Sequence, residues 1–170
     1  MKKLVIAIAI VAAGVGGVSY AIYVATQEVR TEVDKQLALV SDQTGATFKY
    51  AGLSASVISQ SVEITNMEVI SPEGDNVAHI QSIEVTGYET DKISPHTSFT
   101  VKSFQFDKDF VAKLPADTNE MLASASYDLS SSLDYDEQSG DSDVVLKLDA
   151  KDIASFNMDV GLANSKALMD

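Results

Sequence analysis

Three hydrophobic patterns succeed one another along this chain. From Leu4 to Ala25 no charged residue occurs, and a helix of that length spans roughly 30 Å at 1.5 Å per residue. From Thr26 to Asp42 the apolar positions Val29, Val33, Leu37 and Val40 recur at spacings of four, four and three. Glu28, Arg30, Glu32, Asp34 and Lys35 fall on the other faces. That period predicts an amphipathic stalk helix whose stripe packs on another element, by default the domain's own sheet, with a second copy as the alternative. Gly45 follows as a helix stop. Beyond it the period becomes two, which predicts strands.

The first strand pattern is Ala46, Phe48 and Tyr50, broken at Ala51-Gly52 and resumed at Leu53, Ala55 and Val57. Val62 and Ile64 share one parity and Met67 and Val69 the other, so a bulge is expected at Thr65-Asn66. Ser71 to Asp75, with Pro72 and Gly74, reads as a turn. Val77 to Val85 reads as the next strand. Phe99-Val101 and Phe104-Phe106 read as a pair of short runs after a loop at Ser94-Pro95-His96. Asp107 to Ala125 reads as helical, interrupted at Pro115, with Asp117 and Glu120 as a capping box. Three strands close the chain: Tyr127 to Tyr135, Val144 to Leu148 and Phe156 to Leu162.

Strands apolar on one face and closely spaced predict an antiparallel meander with one covered face. The expected fold class is therefore α+β: a transmembrane helix and a stalk helix, then a mainly antiparallel meander sheet with one or two short covering helices. The domain reading is 1–25 as anchor or signal peptide, 26–45 as stalk helix and 46–170 as a β-rich domain. The only candidates to cover the sheet are the two helical segments, 26–42 and 107–125. If they do not suffice, a bound lipid is the natural occupant of the remaining face.

The opening segment has two readings. As a retained anchor, Leu4, Val5, Ile6, Ile8, Ile10, Val11, Val15, Val18 and Ile22 face hydrocarbon, and Tyr20 and Tyr23 sit at the outer interface. Lys2 and Lys3 then place the N-terminus in the cytoplasm. As a signal peptide, Leu4 to Val18 is the apolar core and Ser19-Tyr20-Ala21 the cleavage site. Apolar residues continue past that site to Ala25, which favours the anchor. Ala12/Gly16 and Ala13/Gly17 are small pairs four apart that allow close helix packing.

Charge narrows the partners. The net charge is −13, and setting Lys2 and Lys3 aside leaves ten basic against 25 acidic residues. Such a domain offers no electrostatic footprint to nucleic acid or to an anionic surface. Absence of cysteine excludes disulfides, thiolate metal sites and a cysteine nucleophile.

Chemistry is thin. His79 and His96 are the only histidines, and neither has a second at ligand spacing. Gly52-Leu53-Ser54-Ala55-Ser56 lacks the second glycine of a nucleophile elbow. The acidic run Asp134 to Asp143 misses calcium-loop spacing at Gln138 and Ser139 and reads as a hairpin loop. No cofactor motif, catalytic constellation or metal-ligand set is found, and the expectation is a non-enzyme.

The lysine pair, the apolar span, "QEVRTEVDKQLALV" and the stretch from Phe48 to Glu89 together resemble the start of YdgA-like proteins of Gram-negative bacteria, a family of unknown function. More loosely, they are similar to AsmA-like inner-membrane proteins. Tyr127 to Leu162 resembles their strand-turn-strand units. The resemblance implies a periplasmic domain on one inner-membrane helix, with no catalytic residues to carry over. The expected role is non-enzymatic work in cell-envelope maintenance, with membrane lipid, another envelope protein or a second copy as partner. The alternatives are a cleaved, secreted binding domain and a structural subunit of a membrane complex.

Overall fold

The computed structural model describes residues 26–56, 59–87, 95–114 and 125–163. The expected anchor over 1–25 and the expected capping box at Asp117 and Glu120 lie outside them. No helix among the described residues is long and apolar enough to cross a membrane.

The chain runs α1 (Thr26–Thr44), β1 (Thr47–Ser56), β2 (Ser61–Ile70), β3 (Asn76–Thr86), β4 (His96–Phe106), α2 (Lys108–Ala112), β5 (Tyr127–Asp136), β6 (Asp141–Ala150) and β7 (Ala154–Leu162). All seven strands form one sheet in sequence order, and every neighbouring pair is antiparallel. It is a meander with α1 laid on one face.

Helix α1 forms because its apolar stripe has somewhere to go. Val29, Val33, Leu37 and Val40 are all buried and share one core cluster with Val62, Ile64, Met67, Ile80, Ile83 and Phe104 of the sheet. The sheet of the same chain is therefore what covers the stripe. The helix stops where Gly45 takes a φ of +74° and its N–H donates to the Ser41 carbonyl at 2.7 Å. Thr44 donates its hydroxyl hydrogen to the Val40 carbonyl and accepts from the Ala46 N–H. This carries the helix two residues past the expected end at Asp42.

Three expectations need correction. β1 runs unbroken through Ala51-Gly52, because Gly52 leaves room for the Thr65 side chain on β2, which a Cβ would meet at 2.5 Å. The two aromatic runs are one strand, β4, and His96 is its first residue rather than part of a loop. The helix after Asp107 is short: the Asp107 carboxylate caps the N–H groups of Asp109 and Phe110, and the described helix ends at Ala112.

The expected bulge at Thr65-Asn66 belongs to a larger feature. Ala51, Asn66, Gln81 and Ser103 lie in one lateral row across β1 to β4, as the constant register on either side of them requires. Across this row every strand changes the parity of its inward residues. Tyr50 gives way to Leu53, Met67 to Ile64, Ile80 to Ile83 and Phe104 to Val101. Each strand carries the extra residue at the same level, so the pairing is preserved. Asn66 and Ser103 hold positive φ, +52° and +51°. β5 lacks the extra residue, so the register shifts between Val101 and Phe104, and the Ser103 N–H is taken by Asp128 Oδ1 at 2.6 Å. Bulges bend and twist their strands, and here the bulged strands are those that pack on α1.

Candidate functional site

The inward face does not stop where the helix does. Lateral rows of inward residues cross β4 into β5, β6 and β7. One runs Val101, Leu129, Leu148, Phe156, and the next runs Phe99, Ser131, Leu146, Met158. A third runs Thr97, Leu133, Val144, Val160. Along the first row exposure rises from 7% at Val101 through half-buried Leu129 to 39% at Leu148 and 54% at Phe156. Met158 and Leu162 are exposed as well.

Geometry explains the gradient. A helix is about 10–12 Å wide with its side chains. Seven strands at about 4.8 Å spacing make a sheet nearly 30 Å across. One helix cannot cover that width. α1 lies at the β1 end, where Tyr50 donates its hydroxyl hydrogen to Asp34 and the Arg30 guanidinium stands 6.0 Å from the Tyr50 ring. The ring cluster of Phe104, Phe106 and Tyr127 closes the covered half at β4 and β5. Burial raises the Tyr127 hydroxyl pKa above its ordinary value. Past that cluster no described helix lies over the apolar face, although at its far end Tyr135 and Ser142, opposite each other on β5 and β6, are buried.

The opposite face is polar. One of its rows runs Glu63, Glu84, Thr100, Ser130, Lys147 and Asn157. Among the described residues the sheet has one polar side, one side partly covered by α1, and β7 as the outer strand at the end away from α1.

The remaining candidates from the sequence are dispersed. His79 sits on the polar face between Glu68 and Gln105. It borders a shallow cleft of about 510 Å³ with Asp107, Lys108 and Asp109, whose lining contains no serine, threonine or cysteine. His96 faces Asp134 across the β4–β5 pair, Nδ1 to Oδ1 at 2.5 Å. Ser54 lies in mid-strand opposite Glu63, with none of the sharp turn that a nucleophile elbow needs. In the acidic run, Asp136 Oδ1 accepts from the N–H groups of Gln138 and Ser139. Those bonds, the Gln138 one first, hold its carboxyl below the usual range. Its role is to shape the β5–β6 turn that closes at Gly140. Among the described residues no three acidic or histidine side chains converge on a cation position.

One-sided strands follow from the alternation in the sequence, whereas the reach of the helix over the sheet and the lateral bulge row do not. The signal for the row was present: apolar residues three apart, at Tyr50/Leu53, Ile64/Met67, Ile80/Ile83 and Val101/Phe104. No protein-family model matches this chain, and no curated protein does.

Proposed function

We propose that this chain is a non-enzymatic, single-pass inner-membrane protein with its β-rich domain in the periplasm. It works in envelope maintenance by holding lipid acyl chains, or an apolar partner surface, on the open half of its sheet. The observation that carries this is the exposure gradient from Val101 to Phe156 along one continuous apolar row. A contiguous exposed apolar patch rimmed by polar residues marks a contact surface. The uncharged span from Leu4 to Ala25 supports the membrane placement. The resemblance of its sequence pattern to YdgA-like proteins supports it too.

The test is photolabelling. The full chain is reconstituted into vesicles of phosphatidylethanolamine and phosphatidylglycerol that carry a photoreactive acyl chain. Labelling of the peptides containing Leu148, Phe156 and Met158 is expected, and Phe156→Ser with Met158→Ser should abolish it there. Labelling confined to residues 4–25 would refute the reading. Intact mass from membrane and soluble fractions separates the anchored form from the cleaved one, since cleavage after Ala21 removes the charged start and the apolar core together.

A further inference from the structure

We propose that a second copy of this chain pairs with β7, strand to strand, to make one fourteen-stranded sheet with a continuous apolar face. The inference rests on the reading of the open half of the sheet as a contact surface and names one partner for its edge.

The two ends of the sheet differ. At β1 the apolar face is closed by α1 through Tyr50 and Asp34. At β7 no described element lies along the edge, and Phe156, Met158 and Leu162 on the apolar face are exposed. Edge strands in stable proteins are blunted by charge, proline, bulges or brevity. β7 is nine residues long, unbulged in its pairing with β6, and carries one charge, Asp159. Within the strand itself, that single carboxylate is the one protection of this kind.

Strand number selects the geometry. With seven strands in a meander, β1 and β7 run in the same direction. A copy set beside β7 in the same orientation presents its β1 in parallel. A copy turned by half a revolution about the sheet normal presents its own β7 antiparallel, with its apolar face on the same side. Antiparallel pairing is the more stable per residue. The half-turn is also a closed two-fold, so it stops at a dimer rather than growing a fibre.

The strand is chemically complementary to itself in that arrangement. The register centred on Met158 pairs all nine residues, Ala154 to Leu162. It sets Phe156 opposite Val160, Ala154 opposite Leu162 and Met158 opposite its own copy on the apolar face. On the polar face it sets Asn157 opposite Asp159, an amide against a carboxylate, twice by symmetry. Centring on Asp159 would oppose two carboxylates, which is destabilising. Pairing of all nine residues and avoidance of opposed carboxylates together favour the register centred on Met158.

Long-range repulsion between two chains of net charge −13 acts against association. Salt screens it beyond about 10 Å at 0.1 M, so dimer should increase as salt rises through that range.

The chain has no cysteine, so single thiols report the register directly. The full chain is reconstituted in phosphatidylcholine vesicles and oxidised mildly. Met158→Cys should give about tenfold more linked dimer than Ala51→Cys on β1, because only the first pair of Cβ atoms comes within disulfide range. Phe156→Cys or Val160→Cys alone should stay unlinked, since four residues along a strand separate like positions by about 13 Å. Mixing those two variants should restore linkage. Met158→Lys should leave the monomer folded by circular dichroism and abolish dimer by sedimentation in detergent. Equal linkage at Met158 and Ala51, linkage of Phe156→Cys to itself, or a monomer at every salt concentration would overturn the proposal. These readouts are independent of acyl labelling, so the dimer and the lipid-contact reading stand or fall separately.

Discussion

The hydroxyl of Tyr50 on β1 donates to Oδ1 of Asp34 on α1 at 2.6 Å. Burial, and then the Asp34 carboxylate, push the Tyr50 pKa from the ordinary 10 up to about 12. The protonated phenol is thus favoured in the folded state. It contributes stability that is whole below pH 10 and is lost as pH rises towards 12. Tyr50→Phe should cost about 0.5–1 kcal/mol at neutral pH, because the bond is partly solvated. It should also flatten the fall in stability above pH 10. Urea titrations of both proteins from pH 7 to 12 check this, and parallel curves would refute it.

Asn66 tests the bulge row. Its φ of +52° is tolerated by asparagine and glycine and resisted by β-branched residues. Asn66→Val should cost about 1–2 kcal/mol, and Asn66→Gly should stay within about 1 kcal/mol of the parent. Denaturant midpoints of the three proteins decide the matter. Equal losses from valine and glycine would mean that the Asn66 side chain, not its backbone, is what counts.

Gly87 is a sharper case. Its φ is +72°, its N–H donates to the Gln60 carbonyl, and a Cβ there would overlap the carbonyl oxygen of His96. The obstacle is backbone, which cannot swing aside. Gly87→Ala should destabilise by on the order of 3 kcal/mol, read as a fall in thermal midpoint.

Met67 and Leu39 separate the covered core from the solvent side of α1. Met67 is 0% exposed and Leu39 is 47% exposed. Met67→Ala should cost about 2–5 kcal/mol, and Leu39→Ala should stay within about 0.5 kcal/mol. A large loss from Leu39→Ala in the full chain would show that this side of the helix is covered.

Phe156→Ser bears on the open half of the sheet. The fold should lose less than about 1 kcal/mol, because the ring is 54% exposed. Binding of an apolar fluorescent dye should fall with little change in the melting curve. A melting curve shifted as far as that of Met67→Ala would place Phe156 in the core instead.

Most of the fold was legible because it rests on local periodicity. Val29, Val33, Leu37 and Val40 announce a helix by their spacing, and Phe156, Met158, Val160 and Leu162 announce a strand by theirs. Gly45 and Asp107 mark helix ends through chemistry that acts within a few residues. The candidate surface was only half legible. The apolar parity of β7 could be read, but nothing local distinguishes Phe156, exposed, from Phe104, buried, since both sit in alternating runs.

The sequence by itself determined the order of elements, the one-sided strands, the acidic balance and the absence of cysteine, because each is a property of residues near one another or of their sum. Tertiary structure alone decided which strands α1 covers. A helix about 10 Å wide cannot span a sheet nearly three times as broad, and the end it covers is set by the contacts of Tyr50 and the core of β1 to β4. It also decided that Ala51, Asn66, Gln81 and Ser103 align. Lateral register is a relation between residues distant in the chain, and no window of sequence contains it.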